Sequence, residues 1–348
     1  MVAVTGAASG VGHALAARLA GQEGVRKVVA VDDRRGDLQG VVWRVLDVCD
    51  PVLGERLADV DVVVHTLLPG TVGRGPAGRG SPVVRSAQTV LTAGAAAGVR
   101  RVVLVSSGMV YGALPDNPVP LDEDGPLRAV PDGEHVGELL ELERLAARAP
   151  RVHPGLAVSV LRPAVLVGPG VDTVFTRHFE SPRLLVVRDS RPRWQFCHVD
   201  DLVSALEYAA LGRAEGVLTV ACEGWLDQAD VERISGRHRI ELPAALAFGT
   251  AERLHRLGII PAAASELQYV VHPWVLPATR LRASGWRPAY DNVTALRVLL
   301  DEVAGHHAVG ARRIGRRDAA TVGAAGAAVA ALGTAALIRR TRRRRRSR

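Results

Sequence analysis

The stretch Val2-Ala3-Val4-Thr5-Gly6-Ala7-Ala8-Ser9-Gly10-Val11-Gly12 decides the fold of this chain. Its first four residues are apolar or β-branched and predict a buried strand. Glycines follow at Gly6, Gly10 and Gly12, and residues 12–19 read as a helix with an Ala/Leu face. A strand, a glycine-rich turn and a helix in this order form a phosphate cradle. Missing side chains let a pyrophosphate approach the backbone, and the helix start offers free N–H groups and its positive dipole end. A second strand over residues 27–31 (KVVAV) leads to Asp32, twenty residues after Gly12, with Asp33 next to it. A carboxylate at that point accepts from the ribose hydroxyls of NAD and repels the 2′-phosphate of NADP. Arg34 and Arg35 follow directly and can hold that phosphate, which keeps NADP as the alternative cofactor.

Outward from this turn the pattern repeats. Residues 41–45, 61–65 (DVVVH), 101–106 (RVVLVS) and 157–161 read as strands, and residues 86–97 and 133–148 as helices. The strands are continuous Val-rich runs, not alternating ones, as expected for strands buried on both faces of a parallel sheet. The fold class is therefore α/β, a doubly wound Rossmann-type sheet. Beyond residue 168 the pattern loosens, with strands expected at 184–187 and 217–221 and helices at 201–210, 244–257 and 293–303. We divide the chain into a dinucleotide-binding domain at 1–167, a smaller substrate-side lobe at 168–305, a linker at 306–318, an uncharged segment at 319–338 and an Arg-rich tail at 339–348.

Charge and composition exclude several classes. The 348 residues carry a formal charge of +8, yet Arg339 to Arg348 contain eight arginines, so the body is neutral. A basic nucleic-acid-binding face is not expected. Aromatics make up 4% of the chain, too few for stacking platforms along a single strand. Cys49, Cys197 and Cys222 are far apart and form no metal-ligand spacing, in keeping with a reducing, cytoplasmic compartment. No leader is expected ahead of the first strand, which begins at residue 2. One count is decisive: Lys27 is the only lysine.

Several blocks together resemble the extended short-chain dehydrogenase/reductase superfamily, in its NAD-dependent epimerase/dehydratase branch, which includes UDP-glucose 4-epimerase-like proteins. TGAASGVG has the TGxxxGxG spacing of the shorter members of that superfamily. Asp47-Val48 matches the acidic-aliphatic pair beside the adenine, and His65-Thr66-Leu67 lies in the segment after strand four. RRVVLVSSGMVYG, LRPAVLVGPG, FCHVDDLVSAL and SGWRPAY match later blocks, so the likeness runs from residue 2 to about 290. The resemblance implies NAD held by Gly6, Ser9, Gly10, Val11, Gly12, Asp32, Asp33, Asp47, Val48, His65, Thr66 and Leu67. It also implies paired helices in a homodimer, for which the run Leu139, Leu140 and Leu142 is a candidate.

The family's Tyr-xxx-Lys pair, however, is missing. There the lysine lowers the tyrosine pKa, and a phenol of pKa about 10 needs such a cation to act near neutral pH. None of Tyr111, Tyr208, Tyr269 and Tyr290 is followed by lysine at that spacing. Matching EHVGELLELERLAAR to YxxSKxxxExL puts His135 at the tyrosine position and Leu139 at the lysine position. Ser107 stands where the family's catalytic Ser/Thr would be, and Tyr111 matches the VYG tyrosine. Two functions follow as expectations. One is an atypical dinucleotide-binding protein without catalysis, regulatory or membrane-associated. The other is an oxidoreductase or epimerase using Ser107 and His135 on a sugar nucleotide or another hydroxyl-bearing substrate. The arginine that binds the nucleotide-sugar diphosphate would lie four residues before His198, where this chain has Trp194, with Arg193 and Arg191 out of register. His198, Asp200 and Asp201 read as a helix anchor and cap, not as a metal cluster.

Residues 319–338 carry no charge and are half alanine, long enough as a helix to cross a bilayer but weakly apolar. With the arginines behind it, residues 319–348 fit an anionic membrane surface better than a single span, and a disordered arginine-ended tail and nucleic-acid contact are the alternatives.

Overall fold

The computed structural model describes residues 1–66, 82–131, 135–256 and 264–304, with two short strands at 307–309 and 312–314. The segments expected at 319–338 and 339–348 lie outside the described residues, as does Leu67.

The first strand, β1 (Val2–Thr5), runs through the glycine turn into α1 (Gly10–Ala20) and then β2 (Val28–Asp32) and β3 (Val42–Val45). A short α2 (Leu53–Arg56) precedes β4 (Val62–His65), α3 (Pro82–Ala96), β5 (Arg101–Val105), α4 (His135–Val152) and β6 (Ala157–Pro163). The chain continues through β7 (Val165–Val167), α5 (Val174–Glu180), β8 (Leu184–Val187), β9 (Arg193–Trp194), β10 (Phe196–His198), α6 (Val199–Ala210) and β11 (Val217–Val220).

Seven strands form one parallel sheet in the order β11-β6-β5-β4-β1-β2-β3. From β1 the chain first winds toward β3, then returns to the other side of β1 at β4. The glycine turn thus sits at the carboxyl end of the strand where the order reverses, the place where open α/β sheets bind ligands. Each strand feeds two cores. Val2, Val4, Val62, Val64, Val103 and Val105 pack with Leu15 and Leu19 of α1 and Leu202 and Leu206 of α6. Ala3, Val29, Val31, Val63, Val102 and Leu104 pack toward Leu53, Leu57 and α3 on the other face. This explains the unbroken Val runs. Full burial of Leu15 and Leu19 contributes roughly 1.5–3 kcal/mol each toward fixing α1 on the sheet.

The sheet takes its seventh strand from beyond residue 167: β11, expected in the lobe, pairs in parallel with β6. Smaller ladders build the rest. β7 pairs β10, and β9 pairs β12 (Leu226–Asp227). After α7 (Gln228–Ser235), β13 (Arg239–Leu242) pairs β8, and α8 (Ala244–Arg256), α9 (Thr279–Ala283) and α10 (Asn292–Glu302) follow. Within the expected 306–318 linker, residues 307–309 and 312–314 form a small antiparallel ladder. Leu139 and Leu142 are fully buried and Leu140 is 6% exposed, so the run packs in the chain's own core.

Candidate functional site

Each glycine of the turn has a distinct reason. Gly6 takes φ +74° and Gly10 φ +56°, conformations that L side chains rarely adopt. A Cβ added to Gly10 meets nothing within 4 Å among the described residues. A Cβ on Gly12 falls 2.1 Å from the Gly6 carbonyl oxygen and 2.6 Å from Thr66 Oγ1. Gly12 is therefore what lets α1 start against the turn. Ser9 caps α1 in extended backbone without a side-chain cap bond, and the first backbone bond into the helix is His13 N–H to the Ser9 carbonyl. Among the described residues, the N–H groups of Gly10, Val11 and Gly12 have no hydrogen-bond acceptor. The Asp32 carboxylate accepts from Ala8 N–H at 2.9 Å, which ties the acid at the end of β2 to the turn. Asp33 lies against it, and its carboxyl is raised by that hydrogen-bonding contact with Asp32, by burial and by repulsion. A Gly10 clear of described atoms, unspent donors at a helix start and two carboxylates at the strand end fit a dinucleotide with a free ribose 2′-hydroxyl.

The remaining expected cofactor residues divide. Asp47 is exposed and accepts from Cys49 N–H at 2.8 Å, whereas Val48 is 7% exposed and packs in the α3-side core. Thr66 donates to the Thr5 carbonyl at 2.7 Å and seats beside Gly12. The His65 side chain is turned into the protein interior. Its ring is wholly buried, with Nδ1 2.6 Å from Thr5 Oγ1 and Nε2 3.1 Å from Ser86 Oγ. Ser86 spends its own hydrogen on the Val83 carbonyl, so Nε2 carries the ring proton and Nδ1 accepts from Thr5. Both partners suit a neutral imidazole, and burial lowers its pKa to about 4.

A pH dependence follows. The unfolded histidine takes up a proton near 6.5 while the folded one resists until about 4, so stability falls as pH drops through that window. At full effect the loss is about 3 kcal/mol. Urea midpoints at neutral and mildly acidic pH check this. The stability gap between the wild type and His65→Gln should narrow on acidification; a constant gap would remove the imidazole from the account.

The positions that the sequence resemblance marks as catalytic lie between the end of β5 and the start of α4. Ser107 follows β5 and its hydroxyl accepts from Met109 N–H at 3.2 Å, capping a 3-10 turn over Gly108–Tyr111. Tyr111 is 2% exposed, donates to the Glu123 carbonyl at 2.7 Å and accepts from Arg162 Nη1 at 2.7 Å. Burial is the largest influence on its phenol and pushes the pKa up. It is a packed residue. Arg162 also grips Glu143 of α4 through two bonds of 2.8 Å. Helix α4 packs on the 3-10 turn, which brings Leu139, Val136 and Leu140 into one core cluster with Met109, Val110 and Tyr111. Leu139, at the lysine position, is fully buried. His135 is the first residue of α4 and half-buried. The Arg162–Glu143 pair was missed in the sequence reading, although Glu143 is the acid of the ExL pattern and Arg162 the arginine of LRP.

The model of the NAD dependent epimerase/dehydratase family matches residues 2–219. The chain belongs to this family. The family's cofactor, NAD, agrees with the two carboxylates at the end of β2. An uncharacterized protein of Mycobacterium tuberculosis is 28% identical over 312 residues, covering 85% of this chain and 82% of that one. A 3-diazoavenalumate denitrifying reductase of a Streptomyces species is 37% identical over 141 residues, 38% of this chain and 43% of that one. Among solved structures, MoeE5 in complex with UDP-glucose and NAD superposes with a TM-score of 0.62 at 24% identity, covering 87% of this chain and 98% of that one. The UDP-glucose 4-epimerase of Thermus thermophilus in complex with NAD gives a TM-score of 0.62 at 19% identity, covering 87% of this chain and 99% of that one. At these identities the structures share the fold.

Compared with the family pattern, the substrate side departs at Trp194. This residue is 3% exposed, donates to Gln228 at 2.9 Å and stacks on the His178 ring at 5.4 Å. Arg193 is paired with Asp227 and lies over the Trp225 ring. The HVDD segment anchors the chain as expected. His198 Nδ1 accepts from Asp200 N–H at 3.2 Å at the start of α6, and its ring stacks on Tyr290 with centroids 3.7 Å apart. Asp201 accepts from Ala289 N–H at 2.7 Å and Tyr290 N–H at 3.3 Å.

Proposed function

We propose that this protein is an NAD-binding member of its family that does not run the family's Tyr-Lys proton transfer. The observation that carries this is Leu139. Its position is occupied by an aliphatic side chain sealed in the core, and no cation is available there to lower a phenol's pKa. The dinucleotide turn, by contrast, keeps every element needed to hold the pyrophosphate and ribose. NAD, when bound, supplies hydride chemistry; the chain's own residues bind and orient it. Calorimetry on the full chain should give an NAD Kd of about micromolar order. With UDP-glucose, UDP-galactose or simple alcohols, the nicotinamide absorbance should stay unchanged. Steady reduction of NAD by any of these would overturn the proposal.

A second reading is supported by the Streptomyces relative, which is a reductase by name. Hydride delivery to an acceptor that needs no phenol would leave Ser107 and His135 as the polar groups at hand. A turnover lost in both Ser107→Ala and His135→Gln would favour it.

Cofactor choice rests on Asp32. Asp32→Ala removes a charged acceptor and loosens Ala8, so NAD affinity should fall about 10–100-fold. NADP should bind the wild type at least about tenfold more weakly than NAD. Parallel titrations decide it, and equal affinity for the two cofactors would refute the role given to the carboxylate.

A further inference from the structure

The β8–β9 loop, α8 and the 271–273 segment line a half-open cavity of about 380 Å³, to which no residue of the glycine turn contributes. Its walls are apolar over much of their extent, with Val119, Val187, Phe248 and Val271 among the lining residues. Its fixed charges are three arginines and one aspartate: Arg188, Arg191, Arg193 and Asp189. Two of the arginines are already spoken for. Arg188 lies 3.6 Å from Glu241, and Arg193 is paired with Asp227. Arg191 is exposed and makes no ion pair among the described residues.

One uncommitted guanidinium beside an apolar wall matches one negative charge on an apolar body. A diphosphate is a poor match, because a second negative charge would meet Asp189. The residue in register with a diphosphate-binding arginine is Trp194, buried and held by Gln228. His272 adds no fixed charge, since burial lowers its pKa. The volume falls in the range of small-molecule pockets.

We infer that this cavity binds a small monocarboxylate, its headgroup on Arg191 and its apolar body against Val187, Phe248 and Val271. Guanidinium–carboxylate pairing fixes the head, and apolar burial supplies most of the remaining affinity. The ligand is thus neither a nucleotide nor a sugar phosphate.

The test uses the full chain with NAD present, titrated with octanoate, 3-phenylpropionate, 1-octanol and UDP. The two carboxylates should bind at one site per chain with a Kd of about 0.1–1 mM. Octanol and UDP should each bind about tenfold more weakly or not at all. Arg191→Met should weaken both carboxylates about tenfold, and Phe248→Asn should weaken octanoate about tenfold as well. NAD titrations of the same samples show that the exposed Arg191 has been changed without harm to the fold. Failure of both carboxylates at about 10 mM, affinity unchanged in Arg191→Met, or UDP as the tightest probe would each overturn the assignment. Loss of NAD binding in the wild type would instead strike the dinucleotide reading and leave this cavity untouched.

Discussion

Replacing Arg162 with Met should cost about 3–5 kcal/mol of folding stability, the range for removing one partner of a buried ion pair. The side chains of Arg162 and Glu143 are 7% and 5% exposed. The two bonds between them are parallel and 2.8 Å long, a bidentate geometry that joins β6 to α4. Burial works against the Arg162 charge, and Glu143's hydrogen bonds and attraction overcome it, leaving the guanidinium above its ordinary pKa. Methionine fills much of the volume but leaves a buried carboxylate without a cation, and Tyr111 loses both its 2.7 Å donor and the cation 4.8 Å over its ring. Urea unfolding measures the loss. The Arg162→Met, Glu143→Met double variant should recover much of it, because two apolar side chains leave no stranded charge. A single-variant loss under about 1 kcal/mol, or a double variant no more stable than the single, would show that the pair is not held as described.

The pair also shows why the sequence was legible in some places and not in others. Period and composition announce a strand buried on both faces, and β1, β2, β4 and β5 lie where the Val runs put them. The glycine turn is local, since its residues act on one another within a few positions. Glu143 and Arg162 are nineteen residues apart and meet only because α4 folds back along β6. No spacing rule within one element brings them together. The same applies to His65. Its place at the end of β4, next to the cofactor edge, is local, but the ring's partners Thr5 and Ser86 come from β1 and α3. A four-residue strand such as β11 carries too little pattern to declare which sheet it joins; its pairing with β6 settles that. The arginines of the β8–β9 loop carried no legible function. Which of them is free depends on Asp227, thirty-four residues from Arg193, and on Glu241, fifty-three residues from Arg188. Leu139 is the opposite case. Counting lysines already emptied that position, and the structure adds that the vacancy is filled by core.

Gly12→Ala should destabilise the protein and Gly12→Val should abolish NAD binding, although helix propensity alone points the other way. Alanine in place of glycine inside a helix ordinarily gains about 1 kcal/mol. Here the new Cβ would lie 2.1 Å from the Gly6 carbonyl oxygen and 2.6 Å from its carbon. Both are backbone atoms, and no flexible side chain can swing aside. Helix α1 cannot back away cheaply either, because Leu15 and Leu19 are fully buried and α1 packs on α6. Overpacking of this kind costs about 1–3 kcal/mol for small additions and more for valine. The turn must open, and the N–H groups of Gly10 and Val11 then lose their common aim. Gly10→Ala is the contrasting variant. Its Cβ meets no described atom within 4 Å, so its cost is confined to the strain of alanine at φ +56°, about 1–2 kcal/mol, and it should still lower NAD affinity about tenfold or more. Thermal unfolding and NAD calorimetry on the three variants separate stability from binding. If Gly12→Ala is as stable as the wild type and binds NAD equally well, the close approach of α1 to the turn is not what holds the phosphate cradle in shape.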